Sequence, residues 1–391
     1  MDHTHPYRPK TCQHCHADLA EGTLTGSVIN HYVYELPQIR PIIHDHQCRE
    51  VRCPDCGHLT MATLPDGIPT GAYDPSVQAM TGLIRGELQQ SVRQTSAVMT
   101  NVLNVPMSPG MVSKTQEKVS VALAAPYEEA RNQAQAQDRI NADETSWRQD
   151  KKKAWLWVAV TGCVTVFLVH VSRGMVAAKA LIGEGFQGIL STDRWASYGW
   201  INAERRQLCW SHLKRDFRSF LDYAGDPCRV GEGLLCQTRR LFRLLNRVRD
   251  GTLSREGFQQ AMRPIRKRIL ALLEEGQGLP CKKVSGKCRE ILKLKEALFT
   301  FVNEERLEPT NNAAEQALRF AVLWRKRCFG SDSEQGSRFV ERFLTVRMTL
   351  RRQKRDLYAY LLAACNAELH KTPAPSLLPA STTTEVELQA A

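Results

Sequence analysis

The sequence lacks several features of secreted and repeat-containing proteins. Its first ten residues, MDHTHPYRPK, contain no apolar stretch, so no secretory signal peptide is visible. No internal repeat is apparent either. The 13 cysteines are an odd number, and four of them form two close pairs. This usage fits metal-binding thiols in a reducing compartment better than a disulfide framework.

Acidic residues are scarce relative to basic ones. The chain has 41 Asp and Glu against 53 Lys and Arg, a formal net charge of +12. An excess of this size favours a polyanionic partner, and we expect nucleic acid rather than an anionic membrane surface. A charge that serves only solubility is the alternative. The 391 residues, 42% hydrophobic and 24% charged, suit a soluble globular protein of two or three domains.

One stretch, AWLWVAVTGCVTVFLVHV at 154–171, lacks formal charge apart from His170. Its 18 residues are in the range of a membrane span. The run is rich in β-branched and aromatic residues, however, and Gly162 interrupts it near the middle. We therefore predict two strands joined by a tight turn, in a sheet covered on both faces. A single membrane helix is the alternative.

The order of the patterns predicts an α/β protein in six segments. Asp74-Pro75 and Ser108-Pro109 each have the form of an N-cap followed by a first helical residue. The helices after them could form a helix-turn-helix or an ordinary helical linker. The predicted segments are a zinc-binding module at 1–64, a helical DNA-binding or linker segment at 65–125, a first core part at 126–216, a helical insertion at 217–305, a second core part with basic helices at 306–365 and a disordered tail at 366–391.

The first segment contains two C-x-x-C pairs, Cys12 with Cys15 and Cys53 with Cys56. Each pair can place two thiolates on one tetrahedral Zn²⁺, and four thiolates leave no position open for water. We therefore predict a structural zinc ion. Other residues could substitute as ligands but are interpreted as polar loop residues: His14, His16, His44, His46, Cys48 and His58. A redox C-x-x-C site fits two pairs less well.

Three carboxylates form a candidate catalytic set. Asp143 and Asp193 each follow a predicted strand, and Glu315 lies in a predicted helix that Thr310 or Asn311 could cap. Three carboxylates around two Mg²⁺ ions suit phosphodiester chemistry. Each residue also has a simpler interpretation: the aspartates, with Glu144, could form turns or caps, and Glu315 could pair with Arg319 on a helix surface.

Several motifs resemble those of one family. They are ADET at 142–145, STDRWASY at 191–198, CWSHLKRDF at 209–217, and TNNAAEQALR with WRKRCFGSDSEQGS within 310–337. With the double C-x-x-C upstream, these motifs resemble transposases of the insertion sequence 66 family, in the DDE class. Longer members carry a further helical or coiled-coil region before the zinc module, which here starts at Cys12. This chain would then be a short variant or a truncated reading frame.

The resemblance implies a ribonuclease H-like catalytic core with a helical insertion, preceded by the zinc module and the helical segment. It implies that Asp143, Asp193 and Glu315 bind magnesium. It also implies supporting roles for Cys209 and His212, which form a C-x-x-H pair, and we add Asn311 and Asn312 to the supporting set. Cys209 as a small buried residue and His212 as a helix-face residue are the alternatives.

The stretch 319–355 has eleven basic residues against three acidic ones. We predict a phosphate-facing surface there, with Arg319, Arg325, Lys326 and Arg327 as DNA-binding residues, and a solvated helix face as the alternative. Trp195, Trp200, Trp210 and Trp324 are expected in the core, although one could stack on a flipped base.

We therefore predict a DNA transposase that cleaves element ends and joins the 3′-hydroxyls to target DNA. Its predicted cofactors are two Mg²⁺ (or Mn²⁺) ions and a structural Zn²⁺. The predicted partners are transposon ends and target DNA, further copies of the chain and accessory proteins encoded by the element, with no membrane. The predicted location is the bacterial cytoplasm, at the nucleoid when DNA-bound. The alternatives are a ribonuclease H-like nuclease without strand transfer and an inactive zinc-containing DNA-binding protein.

Overall fold

The computed structural model describes residues 3–379. The chain divides into two units, one that ends at Arg40 and one that begins at Pro41. The first unit has one short bridge, between Thr11 and Asp18. The boundary between the two units falls inside the predicted zinc module at 1–64, and that module stays a prediction. The predicted tail lies outside the described residues from 380 onward.

The second unit holds the regular structure. Its strands are β1 Glu50–Arg52, β2 Leu59–Met61, β3 Arg139–Gln149, β4 Lys152–Val160, β5 Thr165–His170, β6 Ile189–Thr192 and β7 Arg206–Leu208. Its α-helices are α1 Pro75–Gly86, α2 Val92–Asn101, α3 Pro109–Ala122, α4 Ala124–Gln135, α5 Met175–Ile182, α6 Trp210–Arg218, α7 Asp226–Arg249, α8 Arg255–Gln277, α9 Lys282–Leu292, α10 Thr300–Asn303, α11 Asn312–Cys328, α12 Glu334–Arg352 and α13 Leu357–His370.

A five-stranded mixed sheet forms the centre, in the order β5-β4-β3-β6-β7. Strands β3, β4 and β5 pair with one another in antiparallel order, whereas β6 pairs in parallel with β3 and β7 in parallel with β6. Asp150 and Lys151 turn β3 into β4 with positive φ at both residues, as a two-residue hairpin of type I′ requires. The predicted α/β class is confirmed.

The uncharged run at 154–171 forms β4 and β5, with the turn around Gly162 between them. Most of its side chains are buried, because helices cover the sheet here. The prediction of two strands is confirmed. Among residues 3–379, no helix is long and apolar enough to span a membrane.

The outer edge of β5 is closed by side chains of α12. The backbone N–H groups of Thr165 and Phe167 donate to Thr349 Oγ1 and Thr345 Oγ1, each at 3.0 Å, and that of Val169 donates to Glu341. Four helical residues rise roughly 6.0 Å and two strand residues roughly 6.8 Å, so the two spacings nearly match. The helix thus satisfies the donors that an open edge would leave unpaired.

The helices of the predicted insertion have a hydrophobic core of their own, which extends to β7 and α6. Gln207 of β7 accepts a hydrogen bond from Phe301 N at 2.9 Å and donates to Leu298 O at 3.3 Å. Trp210 Nε1 donates to the same carbonyl at 2.8 Å. The insertion therefore covers the second sheet edge, and its core is continuous with the strand that leads into the C-x-x-H motif.

The helical segment before the sheet begins as predicted. Asp74 accepts a hydrogen bond from Val77 N, and Ser108 accepts one from Met111 N, so both residues cap their helices. Helices α1, α2 and α3 pack on one another around Ile84, Met99 and Val112. At the other end of the chain, α13 continues to His370 and so passes residue 366, where the tail was predicted to start.

Candidate active site

Asp143 and Asp193 occupy equivalent positions on neighbouring parallel strands. The last paired residues of β3 and β6 are Asn141 and Ser191, and each aspartate lies two residues beyond its strand's member of that pair. Asp143 is not at a strand end, as its sequence context suggested, because β3 continues in its hairpin with β4 to Gln149. The sheet therefore brings the two aspartates together where β6 ends.

The adjacent acids Asp143 and Glu144 point in different directions, because successive side chains of a strand face opposite sides of the sheet. Glu144 is buried and accepts hydrogen bonds from Tyr198 Oη at 2.9 Å and Arg173 Nε at 3.0 Å. Asp143 lines a cavity of about 420 Å³ together with Glu144, Thr145 and Glu315. Both acids thus border the cavity, but Tyr198 and Arg173 already engage the Glu144 carboxylate, so Asp143 is the better placed of the two to bind a ligand.

Glu315 lies in the first turn of α11, a helix that packs on β3 and β4. Its Oε1 atom lies 3.4 Å from His212 Nδ1 and 4.0 Å from Cys209 Sγ. The alternative ion pair between Glu315 and Arg319 does not form among residues 3–379. Helix α11 therefore carries Glu315 to the end of the sheet where Asp143 and Asp193 lie.

The C-x-x-H pair connects the sheet to α11. Cys209 is the N-cap of α6, and its backbone N–H donates to Thr192 O at 2.9 Å, next to Asp193. The backbone N–H of Asn311 donates to Cys209 Sγ at 3.2 Å. Burial opposes ionisation of Cys209, but the nearby His212 imidazole and the Asn311 N–H outweigh it and lower the pKa of the thiol. The structure thus brings Cys209 and His212 together with Glu315.

The two asparagines differ in position. Asn311 is buried at the N-cap of α11, but its side chain makes no capping bond. Its Nδ2 donates instead to Ala142 O at 2.8 Å, beside Asp143. Asn312 is exposed, and its Oδ1 accepts a hydrogen bond from Ser211 at 3.3 Å. Asn311 therefore fixes α11 to β3. Of the two predicted cap residues, Thr310 and Asn311, it is Asn311 that occupies the N-cap, without a side-chain capping bond.

The site concentrates negative charge. The pKa of Asp143 is raised to about 7, chiefly by burial; the hydrogen bond from Glu144 N opposes this rise, and the charges of Glu144 and Asp193 contribute to it. Burial also raises the pKa of Glu144, and the charge of Asp193 acts in the same direction. Carboxylates that repel one another in this way, with Asp143 and Glu315 on the wall of one cavity, fit a divalent cation that prefers hard ligands.

Only part of the predicted DNA-binding set is free for a ligand. Arg319 is exposed and lines the cavity one turn after Glu315, and Lys326 is also exposed. Arg325 donates to Thr145 Oγ1 at 3.1 Å and to Ser146, so it stabilises the end of β3. Arg327 is exposed, although it donates to Leu88 O at 3.3 Å. Arg319 and Lys326 are therefore the best placed of the four.

The wider basic stretch does not face a ligand as a whole. Helix α12 is a core helix against β5, and the arginines at and beyond it reach protein groups. The pairs are Arg338 with Glu341, Arg342 with Ser120 O, Arg347 with Glu87, Arg352 with Thr161 O and Gly162 O, and Arg355 with Ser376 O. These five arginines already have protein partners, and four of them are buried or half-buried, whereas Arg355 is exposed. The phosphate-facing surface over 319–355 stays a prediction, which these four side chains favour least.

A cation–π cluster beside the aspartates was missed in the sequence. The Arg173 guanidinium lies 3.9 Å from the ring centre of Trp195 and 4.5 Å from that of Trp155, and it pairs with Glu144. The RWASY motif drew attention to Trp195, but no local sequence pattern indicated that Arg173 would contact its ring. Trp210 and Trp324 are buried as expected, and Trp195 is the exposed one of the four tryptophans considered.

The two cysteine turns share one local geometry. In each, the first cysteine's carbonyl accepts a 3.0 Å hydrogen bond from the residue four positions later, His16 or Gly57, which has positive φ. The backbone N–H groups of Cys15 and His14 lower the pKa of the Cys12 thiol. Those of Cys56 and Asp55 do the same for Cys53. Each turn thus favours the thiolate form of its first cysteine, which is the form that binds zinc. That both turns share one zinc ion stays a prediction.

The match to a known protein family covers the residues of the candidate active site. The family model described as "Transposase IS66 family" matches residues 88–338, a range that contains Asp143, Asp193 and Glu315 and excludes the cysteine turns. The uncharacterized protein y4qI of Sinorhizobium fredii is 27% identical in an alignment of 234 residues that covers 51% of this chain and 42% of that protein. The chain thus matches about two fifths of that relative's length. Because the family model covers well over half of the sequence, the chain belongs to the IS66 family of transposases.

Proposed function

We propose that the chain is a metal-dependent DNA transposase of the DDE class, which cleaves the ends of its element and joins their 3′-hydroxyls to target DNA. The observation that carries this proposal is the equivalent placement of Asp143 and Asp193 on two parallel strands, with Glu315 lining the same cavity as Asp143. Membership of the IS66 family supports the reaction class.

The sheet supports a ribonuclease H-like core. Three antiparallel strands are followed by two strands that add in parallel on the side of the first, and helix α11 brings the third acid after a long helical insertion. In this arrangement the first strand lies centrally and carries Asp143. The helical insertion lies between the elements that carry the second and third acids, as a DDE enzyme with an insertion requires.

The carboxylates fit Mg²⁺ or Mn²⁺ because they offer hard oxygen donors, and because burial and neighbouring negative charges disfavour the ionised form of Asp143 unless a cation is present. Asp143, Asp193 and Glu315 would hold two such ions. When bound, the ions would activate water or a 3′-hydroxyl and stabilise the leaving oxygen. The residues themselves orient the site: Asn311 fixes α11 to β3, and His212 Nδ1 lies 3.4 Å from Glu315 Oε1.

The exposed cations would bind the DNA backbone beside this site. Arg319 lies one helical turn from Glu315 on the cavity wall, and Lys326 lies two turns further along the same helix. Cations in these positions attract phosphates without reading sequence. Structural zinc in the cysteine turns, assembly of several copies on DNA, help from accessory proteins and a location at the bacterial nucleoid belong to this proposal as predictions.

The proposal is tested by single-turnover cleavage of the element's end DNA in Mg²⁺. We expect Asp193→Asn to reduce cleavage below detection, because the amide cannot supply a negative ligand, while the Kd for DNA changes little. Asp138→Asn is the matched control: Asp138 precedes the same sheet, but its side chain is 82% exposed and away from the cavity. Full cleavage by Asp193→Asn would overturn the assignment.

Strand transfer is tested separately with pre-cut ends. A transposase joins such ends to a target plasmid, whereas a nuclease on the same core cleaves uncut ends but does not join pre-cut ones. A wild-type chain that binds ends yet neither cuts nor joins them would identify an inactive DNA-binding protein.

A further inference from the structure

Three donor atoms of different chemistry meet at the edge of the candidate active site. Cys209 Sγ, His212 Nδ1 and a Glu315 carboxylate oxygen all lie within 4.8 Å of one another. Tetrahedral zinc separates a nitrogen and an oxygen ligand by roughly 3.3 Å, and a sulfur and an oxygen ligand by roughly 3.6 Å. The corresponding distances are 3.4 Å from Nδ1 to Oε1 and 4.0 Å from Sγ to Oε1. The atoms are thus close to a ligand sphere without rearrangement of the backbone.

The elements that carry these atoms hold them in place. Cys209 is the N-cap of α6 and His212 lies three residues later, so both side chains share one side of the first turn. Glu315 lies in the first turn of α11. The Asn311 N–H that donates to Cys209 Sγ at 3.2 Å is the kind of second contact that orients a metal-bound thiolate.

The donor set does not suit magnesium. One thiolate, one imidazole and one carboxylate favour a softer cation, and zinc is commonly held by three such ligands with a fourth position open. The buried Nδ1 of His212 has no hydrogen-bond partner of regular geometry in the described part of the chain. His212 and Glu315 are each about 30% exposed at the side chain (27% and 32%), so an ion can reach the cluster.

We propose that Cys209, His212 and Glu315 form a binding site for a thiophilic divalent cation, with Zn²⁺ as the probe, distinct from the cysteine turns. Occupation of this site would take the Glu315 carboxylate away from Asp143 and Asp193. Zinc would then inhibit magnesium-dependent cleavage. The inhibition rests on the proposed function, whereas the binding does not.

The binding is tested with the full chain, stripped of metal and titrated with Zn²⁺ against a chromophoric competitor. We expect Cys209→Ser and His212→Gln each to bind one equivalent of zinc fewer than the wild type. Cys365→Ser is the control: it makes the same exchange at a buried cysteine in α13 and should bind as the wild type does. Equal stoichiometry in all four proteins would overturn the proposal.

A measurement on the wild type alone covers the case of variants that fold poorly. ¹¹³Cd nuclear magnetic resonance of the cadmium-loaded chain should show a signal from a site with a single sulfur ligand, at much lower chemical shift than cadmium bound by four thiolates. Absence of that signal at saturating cadmium would contradict the site.

The inhibition is tested by measuring cleavage of end DNA by the wild-type protein in Mg²⁺ over the same range of zinc concentrations. Cleavage should fall over the zinc concentrations that fill the Cys209 site. Binding without inhibition would overturn the competition for Glu315 but leave the site. A wild type that never cleaves in Mg²⁺ contradicts the proposed function instead, and the stoichiometry still decides the metal site.

Discussion

At the scale of single residues, neighbours in the sequence have different physical roles. Asp143 and Glu144 are adjacent acids that both border the cavity, yet only Glu144 is paired with Arg173 and Tyr198. The sequence did single out Asp143, through the ADET motif and its place in a strand. It could not reveal the partners of Glu144, because Arg173 and Tyr198 are 29 and 54 residues away and meet it only through the sheet.

Glu341 provides a residue-scale prediction about pH. Burial raises the pKa of its carboxyl from 4.5 to about 7, although Arg338 and the Val169 N–H act in the opposite direction. Between those two pH values the folded chain holds a proton that the unfolded chain has lost, so stability falls as pH rises. The contribution of this carboxyl to the free energy of unfolding should decrease by roughly 3 kcal/mol over that window.

Glu341→Gln removes this titration while keeping an oxygen that can accept the Val169 N–H. Chemical denaturation at several pH values should therefore show the variant gaining stability relative to the wild type as pH rises from 4.5 to 8. The same pH dependence in both proteins would contradict a buried, protonating Glu341.

At the scale of elements, α12 shows how a basic composition can mislead. Its arginines suggested a DNA surface, but the helix packs on β5 and its side chains close the edge of the sheet. The spacing of Glu341, Thr345 and Thr349 is visible in the sequence as a helical face. The local pattern could not predict which element this face contacts. It contacts alternate residues of a strand that lies more than 170 positions earlier in the chain.

The edge closure predicts the effect of removing one hydroxyl. Thr345→Val keeps the shape of the side chain but leaves the buried Phe167 N–H, now bonded at 3.0 Å, without an acceptor. We expect unfolding to become easier by about 1–3 kcal/mol, the cost of an unsatisfied buried donor. Urea denaturation measures this. Thr70→Val, an isosteric change at an exposed loop residue, should stay within about 0.5 kcal/mol of the wild type.

At the scale of the whole molecule, the order of elements was predictable and their tertiary partners were not. The strands, the helix starts at Asp74-Pro75 and Ser108-Pro109 and the paired strands of 154–171 follow from periodicity and capping. The motifs predicted the family, which the comparison confirms. Cys209 and His212 contact Glu315, which lies more than 100 residues later in the chain. This contact depends on how α6 and α11 pack, which the sequence does not reveal.

Exposed and buried basic residues should respond differently to substitution by alanine. Lys326 is exposed, so Lys326→Ala should weaken DNA binding and reduce the slope of log K against log salt by about 1, with little change in stability. Arg347 is buried and paired with Glu87, so Arg347→Ala should destabilise the fold instead. Binding titrations at several salt concentrations and thermal melts separate the two. A Lys326→Ala slope equal to the wild type would remove that residue from the interface.

The central claim is that Asp143, Asp193 and Glu315 together hold hard divalent cations. It is tested most directly by titrating Mn²⁺ into the chain and following the free ion by electron paramagnetic resonance. We predict Mg²⁺-displaceable binding that weakens at least about tenfold in Asp143→Asn, Asp193→Asn and Glu315→Gln, and stays unchanged in Asp138→Asn. Wild-type isotherms in all three carboxylate variants would contradict the claim.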